Sequence, residues 1–235
     1  MPRPAPGLQE KFCKNVLFCR KNIINLRQNT SNNMMQSIDD KVTNVISKCG
    51  RGYIFFPSDF SRIGERKSIL KALERMTEKG VVIRVARGIY CYPKVEKKLG
   101  LGVIKPSFEE VAKAIAKRDK ARIIPTGAYA LNRLGLSTQV PMNVEYLTDG
   151  SSRKIVLSGN RGVHFKHVSP KNLAFKSELA CMICSALKEV GKESLSEDYI
   201  TKISELLKQE DKSIILQDIN LMPDWIAKIV RSAYE

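Results

Sequence analysis

Lys67, Lys71 and Arg75 stand four residues apart, with Ser68 beside the first of them. On a helix that spacing puts all three cations on one face. Long donors so arranged reach phosphate oxygens, or grip the O6 and N7 edge of guanine from the major groove. Arg62 and Arg66 lie at the entry to the same stretch, where the unpaired backbone amides of a helix start already favour anions. Arg84 and Arg87 follow closely. Glu74 and Glu78 dilute the face, and a solvated helix surface has the same look. The weight lies in the recurrence of basic residues on three successive segments.

Other constellations carry less. Cys181 and Cys184 form C-x-x-C, and His164 and His167 form H-x-x-H, which together suggest zinc. The histidines fall on a predicted strand, where an odd offset turns them to opposite faces. The cysteines fall in an apolar helix among Leu179, Met182, Ile183 and Leu187, the usual setting of small buried thiols. Glu145, Asp149 and Lys154 lack the acid–x–Lys spacing of a nuclease core, and no phosphate-binding loop, dinucleotide glycine pattern or nucleophile elbow is present. No catalytic residue, metal or cofactor is expected, and the chain reads as a regulator rather than an enzyme. Tyr129, Asn132 and Arg133 are candidate partner contacts on a short amphipathic helix.

The elements that must position the basic residues are readable in order. Ser37 and Asp40 make a capping box ahead of Ile38, Val42, Val45 and Ile46, with a stop at Cys49-Gly50. Tyr53–Phe56 is a short strand closed by Pro57, and residues 57–60 start a one-turn helix. Glu65–Lys79 is a helix with Ile69, Leu70, Leu73 and Met76 as its apolar stripe and Gly80 just past its end. Val81–Val85 and Ile89–Tyr92 flank an Arg87-Gly88 turn. Helix, strand, short helix, helix, hairpin is the order of a winged helix-turn-helix, with residues 65–79 as recognition helix and residues 81–92 as wing.

Charge divides the chain in the same way. Net charge is +16, and residues 1–105 hold 21 Lys and Arg against 8 Asp and Glu, while residues 106–235 hold 19 against 16. The polyanion-seeking part is the first half. Residues 1–35 are acid-poor and unpatterned, an expected disordered or mis-annotated extension, with Met34-Met35 as an alternative start. Residues 36–93 are the expected winged helix, 94–105 a basic linker, and 106–235 a mixed α/β domain. In that domain helices are expected from residue 106, at 126–134, 177–190, 196–209 and 223–233. Strands are expected at 143–147, 154–157 and 163–168, separated by Asp149-Gly150 and Gly159-Asn160 turns. The fold class is therefore α+β. No run approaches the roughly 20 apolar residues of a membrane span. Six cysteines without a framework pattern read as reduced thiols, and the expected localisation is cytoplasmic.

The segments SIDDKVTNVI, YIFFPSDFSRIG and ILKALERMTEKGVVIRVARGIYCYP, in that order, resemble the N-terminal domain of AbiEi-type antitoxins of type IV toxin–antitoxin systems. The strand–turn–strand from Gly80 through Arg84 and Gly88 to Tyr90 is similar to that family's pattern, and IIPTGAYALNRLGLSTQVPMNVEYLTDG is similar to the start of its second domain. The resemblance spans roughly residues 37–170. It implies a winged helix on repeats in the operon's own promoter, and a second domain that counteracts a nucleotidyltransferase-like toxin. The expected partners are thus double-stranded DNA and a toxin protein. The alternative is a winged-helix transcription factor whose C-terminal domain senses a ligand or protein. Arg62, Arg66, Lys67, Ser68, Lys71, Arg75, Arg84 and Arg87 are the expected DNA contacts.

Overall fold

A computed structural model describes residues 37–98, 100–157 and 161–234. The expected N-terminal extension and the Gly159-Asn160 turn lie outside the described residues. The chain divides into two compact units, with the boundary in the chain between Ser107 and Phe108. Among the described residues it is an α+β protein with eight α-helices and three sheets.

In the first unit, helix α1 spans Ile38–Cys49. Ser37 caps it: its hydroxyl accepts the Asp40 amide at 3.2 Å, and the Asp40 carboxylate accepts the Ser37 amide at 3.3 Å. Strand β1 (Ile54–Phe55) is followed by a 3-10 turn, Pro57–Phe60, and by helix α2, Arg66–Glu78. Strands β2 (Ile83–Ala86) and β3 (Ile89–Cys91) complete a three-stranded antiparallel sheet in the order β1-β3-β2. Two glycines have conformational work here. Gly80, at φ +67°, releases the chain from α2, and Gly88, at φ +73°, turns β2 into β3.

Val42, Ile46, Phe55, Phe60, Ile69, Leu73, Met76 and Tyr90 pack into one core that joins α1, α2 and the sheet. Phe55 sits at its centre, edge-on to Phe60 at 5.4 Å and stacked with Tyr90 at 6.0 Å. The buried positions of α2 are Ile69, Ala72, Leu73 and Met76, the i, i+3, i+4, i+7 spacing of one helix face. Leu70, expected in the apolar stripe, is 36% exposed. It lies about 100° around the helix from Ile69, on the flank of the buried stripe.

Residues 94–105 are more than a connector. Strands β4 (Lys94–Glu96) and β5 (Gly102–Ile104) pair antiparallel as a separate ribbon, with Val95 opposite Val103.

The second unit opens with α3 (Phe108–Asp119), whose first turn carries Glu109 and Glu110. Strand β6 (Ile123–Thr126) leads directly into α4 (Gly127–Arg133). Strands β7 (Asn143–Thr148), β8 (Arg153–Val156) and β9 (Gly162–His167) complete a sheet in the order β6-β7-β9-β8. The Asp149-Gly150 turn therefore does not join paired neighbours: β7 runs parallel to β9, and β8 lies at the edge, antiparallel to β9. Helices α5 (Glu178–Val190), α6 (Glu197–Leu207), α7 (Lys212–Asp218) and α8 (Asp224–Ser232) follow. Ile183, Leu187, Ile203, Leu207, Ile215, Ile226 and Val230 form their common core.

Two charged residues hold this unit at its seams. Asp218, buried, accepts the amides of Lys176 (2.9 and 3.0 Å) and Ser177 (2.8 Å) at the start of α5. Arg122 reaches the Asp149 carboxylate at 2.8 Å and the carbonyls of Leu173 and Pro170 at 2.8 and 3.2 Å. The Arg122 hydrogen bond keeps the Asp149 carboxyl below the usual carboxylate range.

Candidate nucleic-acid interface

The buried stripe of α2 fixes which side chains face outward. Arg66, Lys67, Lys71 and Arg75 are exposed, and Ser68 is half-buried at the edge of the stripe. Lys67 and Lys71 stand one turn apart, about 6 Å along the axis. Arg62 is exposed on the turn that enters the helix. On the hairpin, Arg84 is exposed opposite Tyr90, and Arg87 is exposed beside Gly88 at the turn between β2 and β3. Seven of the eight residues singled out in the sequence are thus exposed cations on α2, its entry and the following hairpin of one unit.

Arg75 differs from the rest. Its guanidinium grips Asp39 of α1 through two nitrogens, at 3.1 and 2.5 Å. That hydrogen bond holds the Asp39 carboxyl below the ordinary range and raises the guanidinium above its own. Arg75 therefore ties α1 to the last turn of α2, and its charge is partly neutralised where Lys67 and Lys71 are not so paired among the described residues. No residue spacing signals this pairing, since Asp39 is 36 positions away.

In the second unit the candidates from the sequence are placed as follows. His164 and His167 turn to opposite faces of β9: His164 lies 3.7 Å from Glu145, and His167 bonds the Gly150 carbonyl at 2.8 Å. Cys181 and Cys184 are buried on α5, and burial pushes the Cys181 thiol up to about 12. Cys91 is likewise buried, whereas Cys49 is disulfide-bonded, against the expectation that all six cysteines are reduced. Arg133 is drawn onto Glu109, Asn132 onto the Ser137 carbonyl at 3.3 Å, and Tyr129 meets the edge of Tyr146 at 5.6 Å. All three make contacts within their own unit; Tyr129 and Asn132 are half-buried and Arg133 is exposed. A cleft of about 270 Å³ lies between α5 and the sheet, lined in part by Thr126, Leu147, Cys184, Ser185, Lys188 and Glu189. Thr126 and Ser185 share a buried hydroxyl–hydroxyl bond of 2.6 Å at its floor. Beside it Glu145 pairs with Lys166 at 2.7 Å. No local pattern marks this cleft, because Thr126, Leu147 and Ser185 come from β6, β7 and α5, which are far apart in the chain.

Among the described residues, no helix is long and apolar enough to cross a membrane.

The arrangement defines a two-unit α+β protein whose first unit has an element order and sheet order compatible with a winged helix and presents a basic outer helix. The chain belongs to DUF6088, a family of unknown function, whose profile matches residues 41–215. It is also similar to the RV2827C protein from Mycobacterium tuberculosis, seen in a crystal structure. The identity is 12% and the TM-score 0.46, over 87% of this chain and 80% of that one, a likeness too loose to carry an argument. No curated protein matches the chain.

Proposed function

We propose that this protein binds double-stranded DNA through its first unit, with α2 in the major groove and the β2–β3 hairpin against the backbone, and acts as a regulator rather than an enzyme. The observation that carries this reading is the joint placement of Lys67 and Lys71 on the exposed face of α2 with Arg84 and Arg87 on the hairpin that follows it. Helix α2 supplies donors one turn apart, and the hairpin supplies two more, the pattern by which a winged helix grips duplex DNA. Net charge concentrated in residues 1–105 supports the same partner.

The finer reading is an antitoxin of a type IV toxin–antitoxin system that represses its own promoter and neutralises a nucleotidyltransferase-like toxin. It rests on the resemblance of residues 37–170 to AbiEi-type antitoxins. Co-expression with the adjacent gene tests it. If that gene encodes a growth-arresting nucleotidyltransferase-like protein and this chain restores growth, the reading stands. If the neighbour is harmless, or arrest persists, it falls.

A second reading has one observation in its favour. The cleft over the Thr126–Ser185 pair places an ammonium (Lys188) and a carboxylate (Glu189) near two thiols, a lining suited to a small polar effector. A cytoplasmic transcription factor that senses such a ligand would release or tighten DNA on its addition.

A further inference from the structure

The β4–β5 ribbon has an unusual surface for a two-stranded element. Val95 and Val103 face each other across the ribbon at 41% and 50% exposure, and Leu101 and Ile104 are 65% and 40% exposed. A hairpin of three-residue strands with its aliphatic side chains in water is marginal by itself, so this surface calls for a cover. The charge around it says what kind. Lys97, Lys98 and Lys105 are all exposed, and the one acid of the ribbon, Glu96, is turned back onto the Lys98 amide at 2.8 Å. A cationic rim around aliphatic side chains complements a polyanion with apolar groove walls.

The base of the ribbon is fixed to the first unit. The Gly52 amide donates to the Tyr92 carbonyl at 2.6 Å, Arg51 donates to the Pro93 carbonyl at 3.0 Å, and the Arg51 guanidinium stacks over the Tyr92 ring at 5.0 Å. The aliphatic part of Lys94 lies over Gly52, where an added Cβ would stand 2.4 Å from its Cε. The ribbon is thus a continuation of β3, held at its root by the loop between α1 and β1.

We infer that the β4–β5 ribbon is a second DNA-binding element. It lays its lysines on the phosphate backbone and its aliphatic residues into a groove beside the site bound by α2. This rests on the DNA reading of the first unit and extends it. A two-stranded ribbon fits a groove about 12 Å wide, and its aliphatic side chains match thymine methyls and sugar walls. From Lys94 to Glu96 the strand covers about 7 Å, or roughly two base pairs.

The test uses the full chain and a 30-base-pair duplex enriched from a random-sequence pool by the full chain itself. Binding is followed by fluorescence anisotropy across a salt series, with hydroxyl-radical footprinting on the same duplex. The variant Lys97→Gln/Lys98→Gln/Lys105→Gln alters exposed side chains only, and is expected to flatten the log K against log salt plot by about two to three units. The conservative pair Val95→Thr/Val103→Thr is expected to keep that slope and to lose about two base pairs of protection at one side of the footprint. If Lys67→Gln/Lys71→Gln flattens the slope while the triple lysine variant and the valine pair leave slope and footprint unchanged, the ribbon proposal is overturned and the DNA reading stands. Loss of an acidic protein partner by the ribbon variants, with DNA binding intact, overturns it in the same way. If no duplex can be enriched, the DNA reading itself fails and the ribbon proposal falls with it.

Discussion

Asp218 offers the sharpest test of how the second unit is held together. Its side chain is 1% exposed and accepts amides from two consecutive residues, Lys176 and Ser177, at 2.8–3.0 Å. Ser177 is the N-cap of α5, and the Ser177 hydroxyl accepts the Ala180 amide at 3.0 Å. Asp218 therefore places a negative charge at the positive end of the helix that carries Ala180, Ile183, Cys184, Ala186 and Leu187 into the core. Replacing it by alanine strands two amides, one fully buried, and removes the dipole contact. At about 1.5–3 kcal/mol for each hydrogen bond to a charged group, the expected cost of Asp218→Ala is about 3–5 kcal/mol. Asp218→Asn keeps the shape and an acceptor oxygen, and is expected to cost about half as much. The assay is urea unfolding followed by tryptophan fluorescence. Trp225 is the only tryptophan of the chain and packs against this core, so the signal reports the second unit alone. With a urea dependence of about 2 kcal/mol per molar, the midpoint should fall by about 1.5–2.5 M for alanine. A midpoint within about 0.3 M of the unaltered protein would refute the anchoring role.

Three further outcomes follow from the same geometry. Because Asp39 already holds Arg75, Arg75→Gln should flatten the salt dependence of DNA binding less than Lys71→Gln does, and Asp39→Asn should steepen it; equal losses at Arg75 and Lys71 in an anisotropy series would contradict the pairing. Burial lifts the Cys181 and Cys184 thiols, so at pH 8 iodoacetamide should label them only after denaturation; rapid labelling of the folded protein, read by peptide mass spectrometry, would contradict their burial. An added Cβ at Gly162 would stand 2.3 Å from the Ile155 carbonyl oxygen across the β8–β9 ladder, so Gly162→Ala should destabilise the second unit by about 1–3 kcal/mol in the Trp225 assay, and no change would mean that β8 yields freely.

What the sequence disclosed and what it withheld divide along physical lines. Helix α1 was legible through Ser37 and Asp40, and α2 through its apolar rhythm and Gly80, because caps and periodicity are local. Leu70 was misplaced because it borders the stripe in sequence, while the buried set is Ile69, Ala72, Leu73 and Met76. The β4–β5 ribbon reads as a linker, since strands of three residues carry almost no pattern. Strand β6 goes unmarked, because Ile123–Thr126 runs into Gly127 without a turn signal, and α7 is too short for its period to stand out. The parallel pairing of β7 with β9 is a tertiary fact that a turn at Asp149-Gly150 disguises. At the candidate interface the cations themselves were legible. The Asp39 partner of Arg75 and the cleft over Thr126 and Ser185 depend on contacts across 36 and 59 positions, beyond the reach of spacing.

Lys67 and Lys71 on the exposed face of α2 are proposed to grip DNA phosphates. This grip is tested most directly by measuring the salt dependence of duplex binding for the full chain and for Lys67→Gln/Lys71→Gln, both at exposed positions outside the core. Binding by the unaltered chain should be strongly salt-dependent, with a slope shallower by about 1.8 units in the double variant, at about 0.9 per lost phosphate contact. An identical slope in the two proteins, or no salt-dependent binding at all, would contradict it.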